Sequence, residues 1–425
     1  MKESILHYIW EQKLFVSSDF TTIDGRKLEI IDVGRINTDA GPDFFNAKIK
    51  IENTIWVGNV EIHKKASDWY KHHHQNNKAY DNVILHLVQI SDTEIKRSDG
   101  QLIHQAILGF DSKLELTYEA MMQSKKWVAC ADAIHSVPSI YISNWKNSLL
   151  AERYMQKTNH VAQILQTTNF HWEEAFYILL ARSFGFGTNS QAFELLAKSI
   201  PLNVLAKHKN NLMQLEALLF GQSGLLTGIV DDSYALKLAN EYRFLKLKYD
   251  LKPIDSSHWK MLRLRPDNFP HLRIAQFASI IHSSSKLFSK IIDDVQLGSI
   301  KKLFAIAPSD YWKTHYLFGV SSTLKIKHLG NASIQSIIIN TIIPILFSYS
   351  ERLGSEILKE KALQVLDQIP AEKNSIVSAW RNLDMKIESA FDSQAFLHLK
   401  KNYCDEKKCL RCIIGHKILN RKFLN

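Results

Sequence analysis

Residues 39–88 read DAGPDFFNAKIKIENTIWVGNVEIHKKASDWYKHHHQNNKAYDNVILHLV, and the period of their apolar positions decides the fold. Phe45, Ala47, Ile49 and Ile51 alternate with Asn46, Lys48 and Lys50, which predicts a strand with one buried face. Asn53 supplies a turn. In a second strand from Thr54, alternation puts Ile55, Val57, Asn59, Glu61 and His63 on one face and Trp56, Gly58, Val60 and Ile62 on the other. Asp43 opens the first strand and Glu61 ends the second, so an antiparallel hairpin aims two carboxylates at one point. Such a pair, with the Ile62 carbonyl and waters, suits the all-oxygen shell of Mg²⁺.

Working outward, Ile5, Leu6, Ile9, Trp10 and Leu14 recur at helical spacing and predict an amphipathic first helix. Leu28–Val33 reads as a strand, and the segment from Gly34 to Gly41 as a loop that delivers the chain to Asp43. A helix through Trp69 to His74 and a strand from Val83 to Val88 follow the hairpin. His72, His73 and His74 are consecutive, and consecutive residues on a helix point apart, so they read as a polar helix end. His86 reads as a hydrogen-bonded histidine within the sheet. A further short strand is expected over Leu102–Leu108.

Pro42-Asp43, then Glu61-Ile62-His63 at the end of the next strand, resembles the PD-(D/E)XK nuclease superfamily, with His63 where the pattern has lysine. The resemblance implies a restriction-endonuclease-like mixed sheet with flanking helices. It also implies Mg²⁺ or Mn²⁺ at Asp43 and Glu61, with His63 orienting a water or donating to phosphate. Lys64 replaces the missing lysine only if a bulge turns the strand. Glu11, on the leading helix, either joins the metal site, as a glutamate does in such nucleases, or is a solvated surface residue. The stretches GPDFFNA, GNVEIH, YDNVILH, RLRPDNFP and CLRCIIG make the whole chain resemble a bacterial domain-of-unknown-function family, number two-eight-five-one, which implies no activity.

The 425 residues are 45% hydrophobic and 23% charged, a globular composition with length for a large core. A formal charge of +10 favours a polyanionic partner. Glu3, Glu11 and Gln12 interrupt the first apolar positions, which excludes a secretory signal pattern and leads us to expect a cytoplasmic protein. Asn340 and Pro344 interrupt the run from Ile337 to Phe347, so it reads as a core helix and no membrane partner is expected.

From Pro138 onward helical spacing dominates, as at Leu202–Phe220, Ile274–Ile281 and Glu356–Leu366. The fold class is therefore α+β, with a nuclease-like domain at 1–132, a mainly α-helical domain at 133–402 and a cysteine-rich segment at 403–425. In RLRPDNFPHLR, the guanidinium groups of Arg263, Arg265 and Arg273 either grip phosphates or hold the helical domain together. SFGFG, from Ser183 to Gly187, lacks a preceding strand and a following lysine and reads as a helix end.

Three of the four cysteines lie near the C-terminus, where Cys404, Cys409, Cys412 and His416 are spaced C-x4-C-x2-C-x3-H. These ligands suit a zinc knuckle. Cys130 is the remaining cysteine, and one distant plus three terminal cysteines also resembles the way some nucleases of this superfamily hold an iron–sulfur cluster. The fourth ligand is thus open between Cys130 and His416. The expectation is a divalent-metal-dependent nuclease or nuclease-derived nucleic-acid-processing protein. A non-catalytic nucleic-acid-binding or assembly protein is the alternative, with DNA or RNA as partner and the oligomeric state open.

Overall fold

The computed structural model describes residues 3–16, 20–228 and 231–420. The chain is α+β, with a mixed sheet near the N-terminus and a helical region after it. It divides into two compact units, one made of residues 1–145 and 399–425, the other of 146–398. This division differs from the expected boundaries: the second unit starts at residue 146, and residues 399–425 group with the sheet unit.

The sheet unit begins with α1 (Glu3–Glu11), whose Ile5, Leu6, Ile9 and Trp10 are buried at helical spacing. The indole N–H of Trp10 donates to the Val33 carbonyl at 3.0 Å, and α1 packs against the sheet. The strands are β1 (Leu28–Asp32), β2 (Arg35–Ile36), β3 (Phe44–Ile51), β4 (Thr54–Lys65), β5 (Val83–Ile90) and β6 (His104–Ile107). They run in the order β1-β3-β4-β5-β6, with β2 paired to β3. β1, β2 and β4 are antiparallel to β3, whereas β4, β5 and β6 are mutually parallel neighbours. The β3–β4 turn is Glu52-Asn53, with Glu52 at φ 52° carrying the left-handed conformation.

β3 departs from simple alternation. Ala47, Ile49 and Ile51 are buried as expected, but inward-facing burial passes to Phe44, and Phe45 is only partly covered. The cause is a bulge between Phe44 and Ala47, where the β4 register shifts and Asn46 takes φ 56°. Gly34 sits against this bulge with φ 83°; a Cβ there would lie 2.5 Å from the Phe45 carbonyl oxygen. The expected loop from Gly34 thus contains the short β2.

Between β4 and β5, α2 (Asp68–Lys71) ends before the histidines, and two 3₁₀ turns, His74–Asn76 and Lys78–Tyr80, complete the crossover. Ala66, Trp69, Tyr80, Val83, Val88, Ile95 and Ile103 form an apolar cluster that holds this crossover. α3 (Ser112–Gln123) follows β6.

The second unit is built almost wholly of helices around one core, in which Phe220, Phe277, Phe304, Trp312 and Leu346 are fully buried. Its helical run Asn331–Leu353 is long and apolar enough to cross a membrane by length and composition. Ile337, Ile338, Ile342, Ile343 and Leu346 of that run are nevertheless buried in the core, as a core helix requires.

Candidate metal centre

The bulge and the hairpin bring Asp43 and Glu61 together through their backbones. The Asp43 N–H donates to Glu61 Oε2 at 3.0 Å, and the Ile62 N–H donates to Asp43 Oδ2 at 2.9 Å. Each carboxylate is therefore positioned by an amide from the other's strand end. Glu61 is almost completely buried, and its pKa is pushed well above the carboxylate range, by burial first and by the Asp43 charge second. Two carboxylates so placed repel in a medium that screens poorly, and a cation relieves that repulsion.

A third group completes this corner. His7, on α1, places Nε2 3.2 Å from Asp43 Oδ2. Burial lowers the His7 pKa, but the hydrogen bond and charge of Asp43, together with the charges of Glu61 and Glu3, more than offset it, so the net shift is upward. Glu3, one turn earlier, adds its field to both His7 and Glu61. The leading helix thus reaches the site through His7, whereas Glu11 is exposed at the helix end, the solvated alternative of the two readings. The signal missed was the i, i+4 pairing of Glu3 and His7 on one helix face.

His63 lies beside Glu61, with Nε2 3.4 Å from Glu61 Oε1. Its Nδ1 contacts His86 Nε2 at 2.9 Å, and Gln105 stands 3.4 Å from the other nitrogen of His86. His86 is fully buried as a hydrogen-bonded sheet residue, its pKa lowered by burial. Burial, then His74 and His72, push His63 down to about 4, so it is a neutral imidazole at neutral pH. Lys64 is exposed on the opposite parity of β4, where the β4–β5 register runs without a shift from Val60 to Lys65, so no bulge turns it inward.

The triple histidine behaves otherwise than its spacing implies. Because α2 stops at Lys71 and His73 adopts φ 61°, His72 and His74 do not follow helical directions. They converge instead: His72 Nδ1 lies 3.2 Å from His63 Nε2, and His74 Nε2 lies 3.3 Å from Glu61 Oε1. His74 stacks on Tyr80 with ring centroids 3.9 Å apart.

In the helical unit, Arg263 and Arg265 are exposed, but Arg273 is buried. Its guanidinium donates to Gln276 Oε1 at 2.9 Å, Asn268 Oδ1 at 2.7 Å and Ser333 Oγ at 3.1 Å, and lies over the Phe186 ring. Of the two roles open to this arginine, holding the domain together is the one its surroundings provide. Ser183–Phe184 end a helix and Gly185–Gly187 form the turn after it.

At the C-terminus, Cys130, Cys404, Cys409 and Cys412 line one small cavity with Met121, Tyr403 and Lys408. Gly415 lets the terminal helix Ile413–Leu419 approach, since a Cβ there would meet the Cys409 carbonyl at 2.1 Å. His416 turns away and contacts the Tyr8 hydroxyl at 2.7 Å and Asn420. Cys130, and not His416, therefore shares this cavity with the three terminal cysteines. Burial raises Cys130 and Cys412 to about 12 and also raises Cys404 and Cys409, which keeps the thiols protonated without a bound cation. Among the described residues no three cysteine sulfurs lie within 4.8 Å of one another, wider than the spacing around a single zinc ion.

A family profile described as "Protein of unknown function (DUF2851)" matches residues 3–375. No curated protein and no solved structure matches the chain.

Proposed function

We propose that this chain, which belongs to the DUF2851 family of proteins of unknown function, is a divalent-metal-dependent nuclease or a nuclease-derived nucleic-acid-processing protein. The observation that carries the proposal is the reciprocal bracing of Asp43 and Glu61 by backbone amides at the end of a bulged hairpin. An antiparallel hairpin followed by two parallel strands, with a leading helix on the sheet, supports a restriction-endonuclease-like fold for the sheet unit.

The residues fit a dication. Glu61 is a buried carboxyl whose proton affinity is raised by burial and by Asp43, the donor chemistry that a divalent ion replaces a proton to satisfy. Bound there, Mg²⁺ or Mn²⁺ would lower the pKa of a ligated water and stabilise charge on a phosphate. The chain's own groups do the positioning: His7 and the Ile62 N–H fix Asp43, and the Asp43 N–H fixes Glu61. His63 acts through Nε2, the nitrogen turned toward Glu61. Exposed Lys64 and Lys65 at the end of β4, with Arg263 and Arg265 in the helical unit, supply charge for phosphates. Incubation with single- and double-stranded DNA and RNA, with and without Mg²⁺ or Mn²⁺, tests the proposal; no cleavage of any substrate would refute the nuclease reading.

The second reading, a nucleic-acid-binding protein that has lost the reaction, is favoured by one observation. His63 is neutral where a lysine would be charged, which gives less stabilisation to a developing anion. Metal-independent binding of the same nucleic acids without cleavage would support it.

For the cysteines, we propose a structural metal group ligated by Cys130, Cys404, Cys409 and Cys412. Four thiolates around one cavity are a ligand set that either a tetrahedral zinc ion or an iron–sulfur cluster would take. Iron and sulfide analysis with a visible spectrum distinguishes the two. Colourless protein holding one zinc would reject the cluster, and Cys130→Ser retaining the group would reject Cys130 as a ligand.

A further inference from the structure

We infer that His63, His72 and His74, bordered by Glu61, form a binding site for one first-row transition-metal dication. This goes beyond the proposed function by adding a second metal position beside the carboxylate pair, and it rests on the nuclease reading only for the use to which the ion is put.

The geometry is that of a first coordination shell. Each imidazole offers a ring nitrogen, and the three ligand atoms lie within 4.8 Å of one another. A tetrahedral ion with bonds of about 2.0–2.1 Å has ligand-to-ligand edges of about 3.3 Å. Three edges already have nearly that length: His72 Nδ1 to His63 Nε2 at 3.2 Å, His63 Nε2 to Glu61 Oε1 at 3.4 Å, and Glu61 Oε1 to His74 Nε2 at 3.3 Å.

Independent observations point to a ligand there. Among the described residues His74 Nε2 is buried and makes no hydrogen bond, although a buried ring nitrogen ordinarily finds one. The contact of His63 Nδ1 with His86 Nε2, at 2.9 Å, can fix the tautomer that leaves His63 Nε2 free for an ion, the usual arrangement behind a metal-bound histidine. His72 is exposed and gives the ion a path from solvent. The local backbone is built for this: the left-handed His73 turns His74 back toward β4.

The ligand set selects the ion. Imidazole nitrogens favour zinc, copper, iron, cobalt or nickel and are poor partners for Mg²⁺, which seeks an octahedron of oxygens. Asp43, held 3.2 Å from His7, remains on the other side of Glu61 as the oxygen donor for a second ion or a bound water.

Cobalt reports this directly. We expect Co²⁺ to bind full-length protein with visible d–d bands of a four- or five-coordinate nitrogen and oxygen site that appear without the near-ultraviolet thiolate charge-transfer bands that accompany cobalt bound at cysteines. Zn²⁺ should displace it, and a large excess of Mg²⁺ should not. His72→Ala and His74→Ala should each weaken binding at least tenfold, while His73→Asn, which keeps a residue tolerant of the left-handed turn, should bind as wild type. His72 is exposed, so its removal leaves the fold intact. Unchanged Co²⁺ affinity in His72→Ala and His74→Ala, or displacement by Mg²⁺ as effective as by Zn²⁺, would overturn the assignment. Cleavage is not read here: cobalt bound at the histidines by a protein that cleaves nothing keeps this site and removes the nuclease reading alone.

Discussion

Asp43 donates its backbone N–H to the carboxylate of Glu61 at 3.0 Å, while the amide next to Glu61, that of Ile62, donates to Asp43 at 2.9 Å. Neither side chain can move without releasing the other's strand. The pair makes stability depend on pH. Glu61 has a folded pKa above that of the unfolded chain, about 4.3. Its contribution to stability is therefore fully present below that value and is lost as pH rises through the folded pKa. In EDTA, urea midpoints of wild type should fall between pH 5 and pH 8 more than those of Glu61→Gln, and added Mn²⁺ should restore the wild type alone. Identical pH dependence in the two proteins would show that Glu61 is not strained in the metal-free state.

The pairing of those carboxylates was legible because apolar and polar residues alternate from Ala47 to Ile51 and the turn between β3 and β4 is two residues long. Their final aim was not. The bulge at Phe45 and Asn46 moves burial from Phe45 to Phe44, and a bulge leaves no mark in an alternation of apolar and polar residues. The convergence of His72 and His74 was hidden for a similar reason: helical spacing continues to His74, but the helix itself ends at Lys71. The return of residues 404–419 to the sheet unit was hinted at by the isolated Cys130, and the engagement of His416 by Tyr8 required coordinates.

Gly34 tests the bulge. A Cβ there meets the Phe45 carbonyl at 2.5 Å, and the residue has φ 83°. Gly34→Ala should cost about 1–3 kcal/mol, the range for a strained backbone position. It should also weaken Mn²⁺ binding, because Asp43 immediately precedes the distorted segment. Calorimetry and urea unfolding measure both, and wild-type values for both would mean that the bulge does not set the Asp43 position.

The arginines of RLRPDNFPHLR should divide by burial. Replacing Arg263 and Arg265 together with alanine should leave stability within about 0.5 kcal/mol, as for exposed residues without buried partners. It should lower the slope of log binding constant against log salt by about 0.9 for each duplex phosphate that is no longer neutralised. Arg273→Ala should instead destabilise the helical unit by more than about 2 kcal/mol, since it strips Gln276, Asn268 and Ser333 of a buried donor. A stable Arg273→Ala protein would contradict that structural role.

His271 should govern part of the acid sensitivity of the helical unit. It is buried beside Phe220 and Phe318, its Nδ1 has no hydrogen-bond partner among the described residues, and burial lowers it from 6.5 to about 4. Between those values the unfolded chain takes a proton that the folded one refuses, so stability is lost as pH falls from 6.5 toward 4. His271→Phe should flatten this decline in urea unfolding at pH 7 and pH 5. An equal decline in both proteins would exclude His271 as its source.

The most direct test of the central claim is cleavage of single- and double-stranded DNA and RNA by wild type, Asp43→Asn and Glu61→Gln, side by side in EDTA, Mg²⁺ and Mn²⁺. The braced carboxylates predict cleavage of at least one substrate that requires the metal and falls at least a hundredfold in both variants. Cleavage that persists in Asp43→Asn and Glu61→Gln, or that proceeds equally in EDTA, would contradict it.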